Sequence, residues 1–510
     1  MKIVIFILIL TLLLMFTPLL AENHMDLMCE FEGEHSEDKF GVSMCSLDFN
    51  GDGIDDLAVG SKYNPDGVGR SYGRVYFYFG GDDFDDIPDL TVTGDNDNLL
   101  DLQLKALGDL NNDGYDDIGM PNYNDNGTPT HDETWILFGG SEPDTIPDYV
   151  FHIPVQYNGS MPIFNGLGDV NNDGYDDVGI SNDLNQYYII WGGDTLRLEL
   201  FYKVDIDYYY GKITGIGDVN DDGYDDIEIG YYYDHDAQRY KDLLFYGGDP
   251  PDTLYDVLLA DTANSSFLGG RPTGDVNDDG YDDFYSCVRH SVGLWLGSEV
   301  ISPQPHVYLD DEGIGGGSDY GDFNNDGYSD AALGSPSWDW FAGRVHIILG
   351  GTYINGATDL FLNAPELSIC FGGSIAVGDF NNDGYDDVAA GAPGYSSHPS
   401  FHGKVYVYAG NDSLTVGVDD PDLPDITGTG LLHAYPNPFS SEIHFHLNVR
   451  SLRELTIQIY NVKGQLIETV NVQERDITWH AQDNPSGAYF CKLMHKDEVL
   501  EVTKVILVKQ

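Results

Sequence analysis

The chain has 510 residues, with 23 Lys and Arg against 86 Asp and Glu, a formal net charge of -63 and five cysteines. This acidity argues against a nucleic-acid backbone as the partner, because affinity for phosphates comes mostly from clustered Lys and Arg. The 41% of hydrophobic and 13% of aromatic residues argue against a disordered acidic polymer, and 61 Gly favour a turn-rich, all-β protein.

Residues 1–21 have the pattern of a secretory signal peptide. Lys2 precedes an apolar run, and the small residue Ala21 stands where the polarity begins to rise. The alternative is an uncleaved membrane anchor, for which the run is short. We therefore expect export through the periplasm, with the mature chain secreted or held at the outer cell surface and without a transmembrane span.

The acidic residues are concentrated in one part of the remaining chain. Residues 22–433 contain 14 basic and 77 acidic residues, whereas residues 434–510 contain 8 basic and 9 acidic residues. The stretch 419–433 is rich in Pro, Gly and Asp, as a linker would be. The sequence thus predicts an acidic domain over residues 22–418, a linker over 419–433 and a separate module over 434–510.

The acidic domain repeats one pattern, D-x-N-x-D-G-x-x-D, seven times. The copies begin at 48, 109, 169, 218, 275, 322 and 379. In a tightly curled loop, alternate side chains point to one centre, position 7 offers its carbonyl, and Gly at position 6 permits the sharp turn. Ca²⁺ accepts 6 to 8 such oxygen ligands, while Mg²⁺ demands a stricter octahedron. The repeats therefore predict up to seven calcium sites.

The predicted calcium ligands occupy positions 1, 3, 5, 7 and 9 of each copy. They are Asp48, Asn50, Asp52, Ile54, Asp56; Asp109, Asn111, Asp113, Tyr115, Asp117; Asp169, Asn171, Asp173, Tyr175, Asp177; Asp218, Asn220, Asp222, Tyr224, Asp226; Asp275, Asn277, Asp279, Tyr281, Asp283; Asp322, Asn324, Asp326, Tyr328, Asp330; and Asp379, Asn381, Asp383, Tyr385, Asp387. Without metal these carboxylates should repel one another, so we expect folding to be coupled to calcium.

The repeat has two other interpretations. The loops could be Asx-rich turns that hold no metal, since Asp, Asn and Gly are ordinary turn formers. An EF-hand or dockerin loop would need a carboxylate at position 12 and helical flanks. Position 12 is never acidic here, and the residues after each loop, such as Asp387-Val388-Ala389-Ala390-Gly391, are typical of a strand. Each loop is therefore expected to join two strands.

Repeats of this size with about four strands each predict the blades of a propeller, with residues 25–33 as an outer strand of the last blade. Phe40-Gly41-Val42-Ser43 with the first loop, and Phe371-Gly372-Gly373-Ser374-Ile375 with the last loop and Gly391-Ala392-Pro393, resemble FG-GAP repeats of the integrin α subunit. The resemblance covers roughly residues 30–418. It implies a seven-bladed β-propeller with calcium loops between the first and second strands of the blades, all on one face.

The C-terminal module begins with Ala434-Tyr435-Pro436-Asn437-Pro438-Phe439 and alternates apolar and polar residues in several short strands. This predicts a small antiparallel β-sandwich, of which an ordinary Ig-like module is one interpretation. Together with Ile459-Tyr460-Asn461 and Gly487-Ala488-Tyr489-Phe490, the start resembles the type A sorting domain of the type IX secretion system. The resemblance implies that residues 434–510 engage that secretion machinery.

The sequence contains no catalytic signature, which favours a recognition or adhesion module for an extracellular protein or glycan over an enzyme. The alternative is an extracellular polysaccharide-degrading or other hydrolytic or lyase enzyme with structural calcium. Candidate recognition residues lie between the second and third strands of the blades: Tyr63, Tyr123, Tyr231, Tyr232, Tyr233, Trp338, Trp340, Tyr395 and His398. Among the histidines, His306, His346, His398 and His402 were considered as metal ligands, but unclustered histidines are usually structural.

Overall fold

The computed structural model describes residues 23–34, 39–62, 73–94, 99–100, 103–123, 132–154, 162–203, 211–234, 239–251, 253–262, 270–288, 291–309, 314–352, 354–365, 370–394, 402–415, 432–435, 439–447, 455–463, 465–472, 476–481, 484–495 and 498–509. The chain forms two compact units, Met1–Val416 and Gly417–Gln510. The predicted signal peptide and residues 419–431 of the predicted linker lie outside the described residues.

The first unit contains seven antiparallel sheets, which we number blades 1 to 7 in the order of the repeated loops. Their strands, from the inner to the outer, are Ser43–Leu47, Asp56–Ser61, Arg74–Tyr78 and Leu90–Thr93; Lys105–Gly108, Asp117–Tyr123, Asp132–Leu137 and Tyr149–Ile153; Ile163–Gly168, Asp177–Ser181, Gln186–Trp191 and Arg197–Lys203; Lys212–Gly215, Ile227–Asp234, Arg239–Phe245 and Val257–Thr262; Arg271–Gly274, Asp283–Val288, Ser291–Trp295 and Val307–Leu309; Ser318–Gly321, Asp330–Gly334, Val345–Ile348 and Leu360–Leu362; and Ile375–Gly378, Asp387–Ala392, Lys404–Ala409 and Asp26–Glu32. The short strand Leu99–Leu100 also pairs with the second strand of blade 2.

The blades form a closed ring. The inner strand of each blade contacts the inner strand of the next, and that of blade 7 contacts that of blade 1. The outer strand of blade 7 comes from the N-terminal end, where Asp26–Glu32 pairs antiparallel with Lys404–Ala409. Both the seven-bladed propeller and the role predicted for residues 25–33 are therefore confirmed.

The hydrophobic core of the ring is divided among the seven contacts between neighbouring blades. Each contact has its own cluster of buried side chains drawn from both blades. At the closure, Phe31 of blade 7 stacks on Tyr78 of blade 1 with ring centroids 4.5 Å apart. Several second strands of the blades are buried on both faces, so small and β-branched residues predominate in them, as in Asp387–Ala392.

The second unit is a small domain of two antiparallel sheets. One contains Leu432–Tyr435, Glu442–Leu447 and Asp476–His480, and the other contains Leu466–Asn471, Leu455–Asn461, Gly487–His495 and Glu498–Leu507. Apolar residues of both sheets form one core around Trp479. The predicted antiparallel sandwich is confirmed, while its Ig-like character stays a prediction.

Helical structure in the described ranges is confined to one short helix, Trp338–Phe341, which lies between the second and third strands of blade 6. The described residues contain no helix that is long and apolar enough to cross a membrane.

Candidate metal centres

Each of the seven loops lies between the inner and second strands of its blade, and all seven adopt one conformation. Positions 4 and 6 have a positive φ in every copy; Asn172 and Gly174 of the third loop have φ 52 and φ 90. Position 4 is Gly, Asn or Asp throughout, the residues that tolerate this left-handed conformation best. The Gly at position 6 of every copy indicates this conformation in the sequence, and the Gly, Asn or Asp at position 4 is a second signal of it that the prediction above did not include.

The first carboxylate of each loop organises the turn. In the second loop, Asp109 Oδ1 accepts the N–H of Asp113 at 3.0 Å, and Asp109 Oδ2 accepts the N–H of Gly114 at 2.8 Å. Equivalent bonds form in the other loops, for example from Gly384 to Asp379 at 2.8 Å. The carboxylate at position 1 therefore shapes the loop through hydrogen bonds to its main chain.

The last carboxylate of each loop is buried at the start of the second strand. Asp117 Oδ2 accepts the N–H of Leu110 at 2.9 Å, and its Oδ1 accepts the N–H of Gly139, beyond the third strand, at 3.0 Å. Burial raises the pKa of Asp117 to about 8, although these two bonds act in the opposite direction. A cation bound next to this carboxyl group would stabilise its charged form and lower its pKa.

The amides at position 3 provide a further test of whether a cation fits. The side-chain Oδ1 atoms of Asn171, Asn277 and Asn381 are buried and have no hydrogen-bond partner in the described part of the chain. A buried oxygen without a partner is unfavourable, since it has lost its water. A calcium ion at the loop centre would satisfy these oxygens, and they belong to the predicted ligand set.

No three His, Cys, Asp or Glu side chains of the described residues are already gathered as a metal-binding group. The ligand set predicted for each loop is broader, because it also contains the amide oxygen of position 3 and the main-chain carbonyl of position 7. In this structure the loop carboxylates accept N–H groups of the chain, and in the sixth loop Asp326 Oδ2 also accepts the Asn324 amide at 2.9 Å. In the sixth loop, metal binding would therefore require Asn324 and Asp326 to rearrange.

The eighth residue of the loop has a separate role that the sequence analysis did not assign. In six of the seven blades its carboxylate accepts the N–H of position 1 in the preceding blade, at 2.7 to 3.0 Å. The accepting residues are Asp55, Asp116, Asp176, Asp225, Asp282 and Asp386. At the remaining junction, Ser329 replaces the carboxylate. Its N–H donates to the Asp275 carbonyl at 3.0 Å, a main-chain bond that also forms at five of the latched junctions. We call the six carboxylate contacts the blade latches.

Glycine before position 1 makes room for the latches at blades other than the first. A Cβ atom at Gly108 would lie 2.0 Å from Asp176 Oδ2, and one at Gly168 would lie 2.0 Å from Asp225 Oδ2. A side chain at either glycine would displace the latching carboxylate, whereas in blade 1 the latch forms beside Leu47. The glycine and the acidic residue therefore act together although they belong to different blades.

The candidate histidines have structural partners where the structure describes them. His346 is buried, with Nε2 2.8 Å from Ser335 Oγ and Nδ1 3.0 Å from Thr358 Oγ1. His306 Nδ1 accepts the N–H of Leu296 at 3.1 Å, and His402 Nδ1 lies 3.2 Å from the Gly33 carbonyl. These contacts fit structural roles, while His398 lies outside the described residues.

Of the candidate recognition aromatics, the structure describes the Trp338 side chain, which is 36% exposed on the short helix of blade 6. The guanidinium of Arg344 lies 4.7 Å from the Trp338 ring centroid and 4.2 Å from that of Phe361. Phe341 and Phe361 are 41% and 40% exposed. We call Trp338, Phe341, Arg344 and Phe361 the blade-6 aromatic patch.

The other aromatic candidates are less informative. Tyr231, Tyr232 and Tyr233 lie within the strand Ile227–Asp234, and not in the connection predicted to hold them, because the second strand of blade 4 is long. Tyr123 ends the second strand of blade 2. The side chains of these four tyrosines and of Trp340 are not described, and Tyr63 and Tyr395 lie outside the described residues.

Parts of the chain match two known families. Residues 40–78 and 371–408 match the FG-GAP repeat, and residues 433–509 match the secretion system C-terminal sorting domain. Integrin alpha-5 of Xenopus laevis is 37% identical over 95 residues, covering 18% of this chain and 9% of that protein. Phosphatidylinositol-glycan-specific phospholipase D of Mus musculus is 39% identical over 93 residues, covering 16% of this chain and 11% of that protein. This chain therefore matches only a small part of either relative.

A solved structure, that of BBS1N in complex with ARL6DN, aligns with 78% of this chain and 99% of that chain, at 8% identity and a TM-score of 0.43. The segments that match the FG-GAP repeat are the first three strands of blades 1 and 7, each with its loop. Both resemblances seen in the sequence are confirmed: the chain carries FG-GAP repeats within a seven-bladed propeller and ends in a secretion-system sorting domain.

Proposed function

We propose that this protein is an exported, calcium-loaded propeller that recognises an extracellular protein or glycan. The observation that carries the calcium assignment is the sevenfold repetition of one loop geometry, with buried amide oxygens of Asn171, Asn277 and Asn381 left without partners in the described part of the chain. The five ligand positions supply carboxylate, amide and carbonyl oxygens, which suit a hard cation.

Calcium would supply positive charge to loops that otherwise bring like charges together. Asp48, Asp52 and Asp56 contribute three carboxylates to the first loop, and Asp56 is buried. Burial raises the pKa of Asp56 to about 7, so charging this group without a cation is unfavourable. The ions would thus stabilise the folded ring by binding it more tightly than the unfolded chain.

Recognition is assigned to the side of the ring that carries the connections between second and third strands, opposite the calcium loops. The blade-6 aromatic patch lies on this side, and exposed aromatic and Arg side chains are enriched where proteins bind partners. The integrin likeness adds that propellers with these repeats occur in adhesion receptors. Together these features favour a binding role.

The experiment is an array screen of glycans and extracellular proteins, run with calcium and with chelator. We expect binding that needs calcium and that Trp338→Ala weakens without lowering the melting temperature. Tyr308→Ala is the matched control, because Tyr308 is an exposed aromatic residue on an outer strand. If Trp338→Ala lowered the melting temperature as much as it weakened binding, Trp338 would be part of the core and the assignment of the surface would be wrong.

Export is assigned to residues 434–510 through the type IX secretion machinery. Removing these residues from the chain in its natural host should leave the propeller in the periplasm. The enzymatic alternative is tested separately by incubating the mature protein with polysaccharides and phospholipids. Turnover of any of these substrates would favour a hydrolase or lyase with structural calcium.

A further inference from the structure

The inner strands of all seven blades surround a cavity of about 470 Å³ at the centre of the ring. Small-molecule sites in proteins typically have volumes of about 300–1,000 Å³. Most of the lining is contributed by the first residues of the inner strands and the residues just before them. Because the metal loops follow the other ends of these strands, the cavity is separate from the predicted calcium sites.

Three cationic side chains line this cavity. Lys105, Lys212 and Arg271 are the first residues of the inner strands of blades 2, 4 and 5. Residues 22–433 contain only 14 basic residues against 77 acidic ones, so three cations at one small cavity run against the charge of the whole propeller. Their position away from the loops argues against a role in neutralising the loop carboxylates.

One carboxylate, Asp319, also lines the cavity, but its oxygens are used by the main chain. Asp319 Oδ1 accepts the N–H of Tyr320 and Oδ2 accepts the N–H of Val377, both at 3.0 Å. Among the described residues, Lys105 has no ion pair within 4.0 Å. Lys105 thus lies beside Asp319 without being neutralised by direct contact.

The other two cations have defined neighbours. Arg271 Nη2 donates to the Gly316 carbonyl at 2.9 Å, which orients the guanidinium at the junction of blades 5 and 6. Lys212 is close to Glu228, a buried carboxyl whose Oε2 accepts the N–H of Gly270 at 2.5 Å. Burial lowers the pKa of Lys105, whereas Cys45 and Asp319 oppose this shift and the charge of Arg271 adds to it. An anion among these side chains would relieve this unfavourable charge.

We propose that the central cavity binds a small organic anion whose phosphate or sulfate group lies among Lys105, Lys212 and Arg271. The charged side chains in the lining are three cations and the carboxylate of Asp319, with Glu228 close to Lys212. Guanidinium and ammonium groups donate strong, charge-assisted bonds to the oxygens of phosphate and sulfate groups. The site goes beyond recognition at the outer face and does not depend on the calcium assignment.

The test is isothermal titration of the full mature chain, kept in calcium, with glucose 6-phosphate, glucose 6-sulfate and glucose. We expect at least one of the two anions to bind and neutral glucose not to bind. The two anionic arms distinguish a phosphate ligand from a sulfate ligand. Lys105→Met and Arg271→Gln should each weaken binding by about tenfold or more, the effect of losing one charge-assisted bond.

Arg197→Gln is the matched control, because Arg197 is exposed on the outer strand of blade 3 and its loss changes the net charge equally. Lys105→Met should not lower the melting temperature without ligand, since it removes a partly buried cation that has no ion pair in the described part of the chain. It therefore carries the test alone if Arg271→Gln fails to fold. Absence of binding by both anions, or binding that Lys105→Met leaves unchanged, would overturn the proposal; the second result would indicate anions held at calcium.

Discussion

The Oδ2 atom of Asp55 accepts a hydrogen bond from the backbone N–H of Asp379 at 2.9 Å, across 324 residues of the chain. The two residues belong to the loops of blade 1 and blade 7, so this blade latch closes the ring. The closure also includes the N–H of Gly81, which donates to the Phe380 carbonyl at 2.9 Å. Ring closure thus uses the same contacts that join the consecutive blades.

The closing latch predicts the effect of Asp55→Ala. Removing the carboxylate leaves the Asp379 N–H without its acceptor, so we expect the free energy of unfolding to fall by about 1–3 kcal/mol. Denaturant unfolding in calcium measures this loss. Asp83→Ala, at an exposed acidic residue of the same blade, is the control and should change stability little. Equal stabilities of the two variants would contradict the role of the latch.

The N-terminal strand predicts a second effect on closure. Phe31 is 1% exposed and stacks on Tyr78 of the first blade. Phe31→Ala should lower the free energy of unfolding by about 3–5 kcal/mol, because it leaves a cavity between blades 7 and 1. Leu27→Ala provides the comparison within the same strand, since Leu27 is 41% exposed. A loss at Leu27 as large as that at Phe31 would argue against the predicted packing.

Substitutions at Asn171 and Asn172 of the third loop test metal binding and loop conformation separately. Asn171→Leu removes an amide oxygen of the predicted ligand set, so we expect the variant to bind one calcium ion fewer without losing stability in chelator. Asn172→Gly should keep every ion, because position 4 is not in the predicted ligand set and the φ of 52 at Asn172 suits glycine. Elemental analysis of the dialysed proteins measures both. Equal calcium contents would remove Asn171 from the ligand set.

The metal-free protein should lose stability as the pH rises. Burial raises the pKa of both Asp117 and Asp177 from the ordinary value of 3.8 to about 8. Between these pH values the folded state binds more protons than the unfolded state, so its stability falls with increasing pH. Melting of the chelated protein from about pH 5 to pH 8 should therefore show a falling melting temperature. A rise over this range would contradict the assigned burial of these carboxyls.

Much of this structure could be predicted because its signals are local. The spacing of positions 1, 3, 5 and 9 lies within nine residues, and the strands that follow each loop have a distinct composition. The latches could not be predicted, because Asp55 and its partner Asp379 become neighbours only when the ring closes. The same holds for Lys105, Lys212 and Arg271, which are far apart in sequence and share no motif.

The central claim, that the seven loops hold calcium, is tested most directly by the number of ions bound per chain. The purified mature protein is dialysed against calcium, and bound metal is measured together with the melting temperature before and after chelation. We expect a content approaching seven ions per chain and a lower melting temperature after chelation. A chain that binds no calcium and melts at the same temperature in both conditions would contradict it.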